Sequence, residues 1–130
     1  MTPLRAFVVE DNANIRENLI SILEELTCVE VVGSSATEQA AVKWLSDRPQ
    51  DWDVVILDLF LQEGTGIHVA QNLKRHLEHQ KILVFSNYVT QPVRKRCAQL
   101  GIDGVFDKST EIDTLVDYCA AQCSVLAGKK

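Results

Sequence analysis

Three acidic side chains, one hydroxyl and one lysine carry the chemistry that this sequence can support. Glu10 and Asp11 are adjacent, Asp58 interrupts the apolar run from Val54 to Leu61, Ser86 closes another apolar run, and Lys108 follows a third. Taken singly, an acid can cap a helix, a serine can close a turn and a lysine can be a solvated charge. Asp58 is harder to explain that way, because a carboxylate in an apolar run is costly to desolvate unless it is paired. Brought together, the three carboxylates would repel one another, and a divalent cation would relieve the repulsion. Mg2+ takes one or two protein carboxylates, several waters and a phosphate oxygen. A carboxylate can also attack phosphorus and become an aspartyl phosphate. The charge on the transferred group then calls for a cation and hydrogen-bond donors, roles open to Lys108 and Ser86.

The elements that would gather these residues are legible as alternating periods. Short apolar runs at Leu4 to Val9, Val29 to Gly33, Val54 to Leu57, Ile82 to Phe85 and Gly104 to Phe106 read as strands. Between them lie amphipathic helices. Asp11-Asn12 offers cap chemistry to the first, whose apolar face is Ile15, Leu19, Ile22, Leu23 and Leu26. The second follows Thr37, buries Ala41, Trp44 and Leu45, and stops by Pro49. A loop with Gly64 and Gly66 leads to a third, predicted through about Leu77. Pro92 suits the first turn of a fourth, which buries Val93, Cys97 and Leu100 and ends at Gly101. The last carries Ile112, Leu115, Val116, Cys119, Cys123 and Leu126 on one stripe, and Gly128-Lys129-Lys130 reads as a frayed, solvated end. Continuous apolar strands separated by amphipathic helices predict a parallel sheet covered on both faces. Every candidate residue then falls just after a strand, at the sheet edge where ligands bind in open α/β folds.

Composition narrows the function further. The chain has 130 residues, 46% apolar and 24% charged, with a net charge of −5. That is enough for one core and too little for two domains, and the acidity argues against binding a nucleic-acid backbone. No stretch approaches the roughly 18 apolar residues of a membrane span, and the N-terminus runs into a strand without a signal peptide. Cys28, Cys97, Cys119 and Cys123 form no C-x-x-C pair, so reduced, half-buried thiols in a cytoplasmic protein are expected rather than disulfides or zinc.

In this order and spacing, Phe7-Val8-Val9-Glu10-Asp11-Asn12, Val54-Val55-Ile56-Leu57-Asp58-Leu59, Gly66 eight residues after Asp58, Val84-Phe85-Ser86-Asn87 and Phe106-Asp107-Lys108 resemble the receiver domain of two-component response regulators. The resemblance covers nearly the whole chain. It implies a flavodoxin-like (βα)5 fold with strand order 2-1-3-4-5 and helices on both faces, filling residues 1–130 without an output domain. It implies that Asp58 is the phosphoacceptor. Mg2+ or Mn2+ would be held by Glu10, Asp11, Asp58 and the backbone carbonyl of Phe60. The phosphoryl group would be met by Ser86, Asn87 and Lys108. The implied function is a signalling switch rather than a turnover enzyme. A sensor histidine kinase or phosphotransfer protein would load it. Its output would pass through helix four, strand five and helix five to a protein partner or a second copy, with neither nucleic acid nor membrane bound directly.

The sequence departs from the family pattern at several positions. The aromatic three residues before the lysine is Val105, and Phe106 points to the opposite side of the strand. Ser109 replaces the proline after Lys108, so a trans bond is expected there. The loop Leu61-Gln62-Glu63-Gly64-Thr65-Gly66 lacks the usual proline, from which greater mobility is expected. Asn87 replaces a small residue, and Phe60 and Tyr88 flank the site, where they would crowd an attacking water. Arg94-Lys95-Arg96 reads as a mostly solvated basic face, and His76 and His79 as solvated surface residues. Phosphatase chemistry of the haloacid-dehalogenase type needs a second Asp where Phe60 stands, and no G-x-G-x-x-G is present for a dinucleotide. The remaining alternative is a pseudo-receiver, the same fold acting as a phosphorylation-independent interaction module.

Overall fold

A computed structural model describes residues 2–73 and 76–128. Five strands, β1 (Leu4–Val9), β2 (Val29–Ser35), β3 (Val54–Leu57), β4 (Lys81–Ser86) and β5 (Gly104–Asp107), alternate with five helices. The helices are α1 (Ala13–Leu26), α2 (Glu38–Asp47), α3 (Gly66–Asn72), α4 (Gln91–Gln99) and α5 (Ile112–Gly128). All neighbouring strands pair in parallel, in the order β2-β1-β3-β4-β5. The expected flavodoxin-like order is therefore the observed one.

The strands alternate between two cores, because successive side chains point to opposite faces. Phe7, Val9, Val55, Leu57, Ile82 and Val84 pack against Ala41, Leu45, Val69, Ala70 and Cys97 of α2, α3 and α4. Ala6, Val8, Val54, Ile56, Leu83 and Phe85 pack against Leu19, Leu23, Leu115, Val116 and Cys119 of α1 and α5. Burial on both faces explains why the strands read as unbroken apolar runs. Side-chain caps begin four of the helices: Asn12, Thr37, Thr65 and Thr90 each accept a hydrogen bond from the backbone N–H three residues on.

Several sequence expectations are corrected. Helix α3 stops at Asn72 rather than near Leu77, the Leu73 N–H turning back to the Ala70 carbonyl; residues 74 and 75 lie outside the described residues. Leu26, the last residue of α1, is 66% exposed although Leu23 in the same turn is fully buried. His76 and His79 lie beyond α3, and His79 Nε2 meets Asp53 Oδ1 at 3.4 Å instead of being solvent-only. Cys28 and Cys123 form a disulfide, with Cα atoms 5.9 Å apart. Its partners are separated by 95 residues, so only the packing of α5 against the corner between α1 and β2 makes it visible. The expected solvated end at Lys129 and Lys130 lies outside the described residues.

The spacing of Asp58 and Gly66 has a steric cause. A Cβ placed on Gly66 would lie 2.1 Å from the Asp58 carbonyl oxygen, a backbone atom that no rotamer change can move. The Gly66 N–H also donates to the Leu59 carbonyl at 3.0 Å. Gly66→Ala should therefore cost roughly 1–3 kcal/mol, as overpacking does, and displace the Asp58 loop. Urea unfolding measures this; an unchanged midpoint would contradict the packing described.

Candidate functional site

The carboxyl ends of β1, β3, β4 and β5 converge at one edge of the sheet. There a shallow pocket is lined by Glu10, Asp11, Asp58, Phe60, Ser86, Asn87, Tyr88 and Lys108, together with Asn12 and Ile15 from the start of α1. All the residues anticipated from sequence thus meet in one place, although they come from four separate strand ends.

The backbone fixes each of them. The Glu10 N–H donates to the Ser35 carbonyl and the Asp58 N–H to the Val9 carbonyl, both at 3.0 Å, continuing the ladder past the strands. The Lys108 N–H donates to the Ser86 carbonyl at 2.9 Å, which seats the lysine beside the serine. The Lys108 ammonium then reaches across to Asp58 Oδ2 at 2.6 Å and also hydrogen-bonds Glu10 Oε1. All three of these side chains are less than a tenth exposed. Glu10 Oε2 accepts from the Asn12 N–H at 3.0 Å, and Asp58 Oδ1 from the Phe60 N–H at 3.2 Å.

Charge and burial compete here. Burial raises the Glu10 carboxyl above its ordinary value, although the hydrogen bonds from Lys108 and Asn12 pull the other way. For Lys108 burial acts to lower the value, but the hydrogen bonds and charges of Asp58 and Glu10 outweigh it and hold the ammonium above the ordinary lysine range. Glu10, Asp11 and Asp58 each bring a carboxylate oxygen within 4.8 Å of the others. A set of hard oxygen donors of one sign, with a single ammonium between two of them, is what a hard divalent cation such as Mg2+ requires. The Ser86 hydroxyl is fully buried and has no hydrogen-bond partner among the described residues. Such a group is costly unless the site at times supplies an acceptor.

Features missed from sequence surround this pocket. Arg16 donates to the Glu10 carbonyl at 2.7 Å, and Gln62 N–H to Asp11 Oδ2 at 2.8 Å. The proline-free loop is tied down: Glu38 N–H donates to the Glu63 carbonyl, Thr65 N–H to Glu38 Oε1, and Phe60 bridges Thr65. Nothing in a linear reading pairs residues 38 and 63, so this anchoring was invisible. Phe60 and Tyr88 are both exposed and meet edge to face, with ring centroids 5.3 Å apart.

In the basic run Lys95 and Arg96 are exposed, as expected, whereas Arg94 is half-buried beside Val105. Arg94 donates to the Val105 carbonyl at 3.1 Å and to Glu111 Oε1 at 2.9 Å, and that same oxygen accepts from the Asp107 N–H. One arginine therefore ties α4 to β5 and to the residue before α5. Phe106 points away from this clasp and packs edge to face with Tyr118, as its strand position predicts. The Lys108–Ser109 bond is trans.

Carboxylates, a hydroxyl and a lysine thus stand together at the carboxyl edge of a parallel, doubly covered sheet, and sequence comparison names the class. The family model for the response regulator receiver domain matches residues 6–120. The chain belongs to that family, whose members are signalling proteins of two-component systems rather than turnover enzymes. Among curated proteins, the response regulator UvrY of Escherichia coli is 25% identical over 127 residues, covering 98% of this chain and 56% of UvrY. The chain spans about half the length of the curated relatives it matches. Among solved structures, a LuxR-family two-component response regulator from Aurantimonas superposes with a TM-score of 0.81 at 23% identity, over 99% of this chain and 89% of that one. The isolated receiver domain of RcsB from Salmonella enterica, solved with the phosphomimetic BeF3−, gives 0.78 at 23% identity, over 99% and 92%. CheY6 of R. sphaeroides, in complex with the P1 domain of CheA3, gives 0.73 at 24% identity, over 93% and 99%. These likenesses establish the fold.

Proposed function

We propose that Asp58 accepts a phosphoryl group from a sensor histidine kinase or a phosphotransfer protein, and that loading shifts the face formed by α4, β5 and α5. The observation that carries this reading is the Lys108 ammonium bridging Asp58 and Glu10 next to a buried, unpartnered Ser86 hydroxyl. An Asp58 oxygen attacks phosphorus as the donor imidazole leaves, and Lys108 and the Ser86 hydroxyl meet the new phosphoryl oxygens. Glu10, Asp11, Asp58 and the Phe60 carbonyl would hold Mg2+ or Mn2+, which supplies charge neutralisation for the transferred group. Asn87 lines the same pocket and is assigned to the phosphoryl oxygens with Lys108 and Ser86. We place the protein in the cytoplasm, where such donors operate. The residues described act as a receiver unit whose output goes to a protein partner or a second copy. Its acidic composition does not favour direct nucleic-acid contact by this unit.

Engaging Ser86 and Lys108 alters the β4 and β5 ends, and the Arg94 clasp carries that change to α4 and α5 in place of a buried aromatic. Beryllofluoride with Mg2+ should therefore change amide hydrogen exchange within residues 91–112. Unchanged exchange in that segment, with the ligand demonstrably bound, would favour the pseudo-receiver reading, which the absence of an aromatic at Val105 supports.

Phe60 and Tyr88 give the phosphoryl group a cover. An aromatic pair of this geometry is worth about 0.5–1.5 kcal/mol, so opening the cover to water should become roughly two- to tenfold easier without it. Phe60→Asn combined with Tyr88→Glu should speed loss of phosphate by that factor, followed by the decay of phosphoprotein after donor removal. A decay rate equal to wild type would refute the cover.

A further inference from the structure

We propose that Cys28 and Cys123 form a thiol–disulfide exchange site, responsive to low-molecular-weight disulfides such as oxidised glutathione, that clips the last turns of α5 to the corner between α1 and β2. The pair lies outside the phosphoacceptor pocket, and the proposal does not depend on phosphorylation of Asp58.

The geometry isolates these two sulfurs from the others. Their Cα atoms are 5.9 Å apart, inside the usual range for a bridge, so the bond can close without moving the backbone. Both residues are half-buried at the margin of the α1–α5 core, rather than enclosed in it as Cys119 is. Cys119 lies one turn before Cys123 but is fully buried, and burial pushes its thiol up to about 12. Cys97 is fully buried against the opposite face of the sheet, and its thiol is likewise raised by burial. Neither can supply a competing thiolate near neutral pH.

Closure proceeds in two displacements. One protein thiolate attacks a sulfur of glutathione disulfide, forming a mixed disulfide and releasing one glutathione thiolate. The second protein thiolate then attacks the protein sulfur of that mixed disulfide and releases the second glutathione. Two protein thiols thus lose two protons and two electrons, and the glutathione disulfide gains them. Excess reduced glutathione drives the same steps backwards.

The location gives the bond a consequence. Helix α5 is held at its start through Glu111, by Arg94 and the Asp107 N–H, and near its end by this bridge. Opening the bridge releases one end of a helix that also forms part of the α4–β5–α5 face.

The test uses the whole chain equilibrated across a series of reduced and oxidised glutathione, trapped with an alkylating reagent and read by intact mass and peptide mapping. Cys28 and Cys123 should convert together between a doubly alkylated form and an unalkylated bridged form, with Cys97 and Cys119 unchanged. Reduction should lower Tm by roughly 10 °C, and amide exchange in residues 119–128 should accelerate at least tenfold. Cys28→Ser and Cys123→Ser should each match the reduced wild type; if either fails to fold, the wild-type titration decides alone. Three outcomes overturn the proposal: the two cysteines alkylate independently at every ratio, the bridge persists in millimolar reduced glutathione, or exchange in α5 ignores the redox state.

Discussion

Replacing Lys108 by Met should destabilise the protein by about 3–5 kcal/mol near neutral pH, the cost of removing one partner from a buried ion pair. The Lys108, Glu10 and Asp58 side chains are less than a tenth exposed, and the ammonium is the cation bonded to both carboxylates. A methionine of similar length would leave the carboxylates of Glu10, Asp11 and Asp58 crowded together with no compensating charge. Two further readouts separate this mechanism from simple loss of packing. Added Mg2+ should restore much of the stability in the variant, by about 2.7 kcal/mol at a hundredfold excess over its Kd. Its affinity should also exceed that of wild type, because no ammonium competes for Glu10 and Asp58. A packing defect that left the carboxylates and the ammonium in place would bind Mg2+ no more tightly than wild type. Urea unfolding with and without Mg2+ makes the measurement. Equal stability of variant and wild type without metal would show that the ion-pair cluster is not a net stabilising element.

The pH dependence has the same sign for the two partners but falls in different pH windows. Glu10 titrates above its ordinary value, so between that value and the raised one the folded state binds more protons than the unfolded chain. Its contribution to stability therefore falls as pH rises through that window. Lys108 is also raised, so its contribution is complete below the ordinary lysine value and is lost only as pH climbs through the raised one. In Lys108→Met the alkaline loss should disappear, whereas the decline tied to Glu10 should remain and widen.

Much of this site was legible in the sequence because its residues are interruptions in strong local patterns. Asp58 breaks a β-branched run, and Glu10, Ser86 and Lys108 each end or follow one, so the strand assignment alone carries them to one sheet edge. The side on which Phe106 lies followed from strand periodicity, whereas the strand order came from the family resemblance. What escaped notice depends on contacts between distant segments. The Cys28–Cys123 bridge, the Glu38 anchor of the β3–α3 loop and the Arg94–Glu111 clasp join residues that no helical or strand period relates. Helix α3 was overextended because Leu73 and Leu77 keep a helical spacing, although the backbone leaves the helix at Leu73. Leu26 shows the converse: a residue in phase with a buried stripe is exposed at the last position of its helix.

Asp58 is the proposed site of covalent phosphoryl attachment, and replacing it should have an all-or-none effect. Asp58 Oδ1 is hydrogen-bonded to the Phe60 N–H and Oδ2 to Lys108, so the carboxylate is held in place beside the Ser86 hydroxyl. Asparagine would keep the shape of the side chain but remove the nucleophilic charge. The direct measurement is intact mass after incubation with Mg2+ and a small acyl phosphate, with peptide mapping of the product. A single phosphoryl adduct should form on wild type, fail to form when the metal is chelated, and be absent from Asp58→Asn. An adduct that persists in Asp58→Asn, or a wild-type protein that acquires none with Mg2+ present, would contradict the assignment.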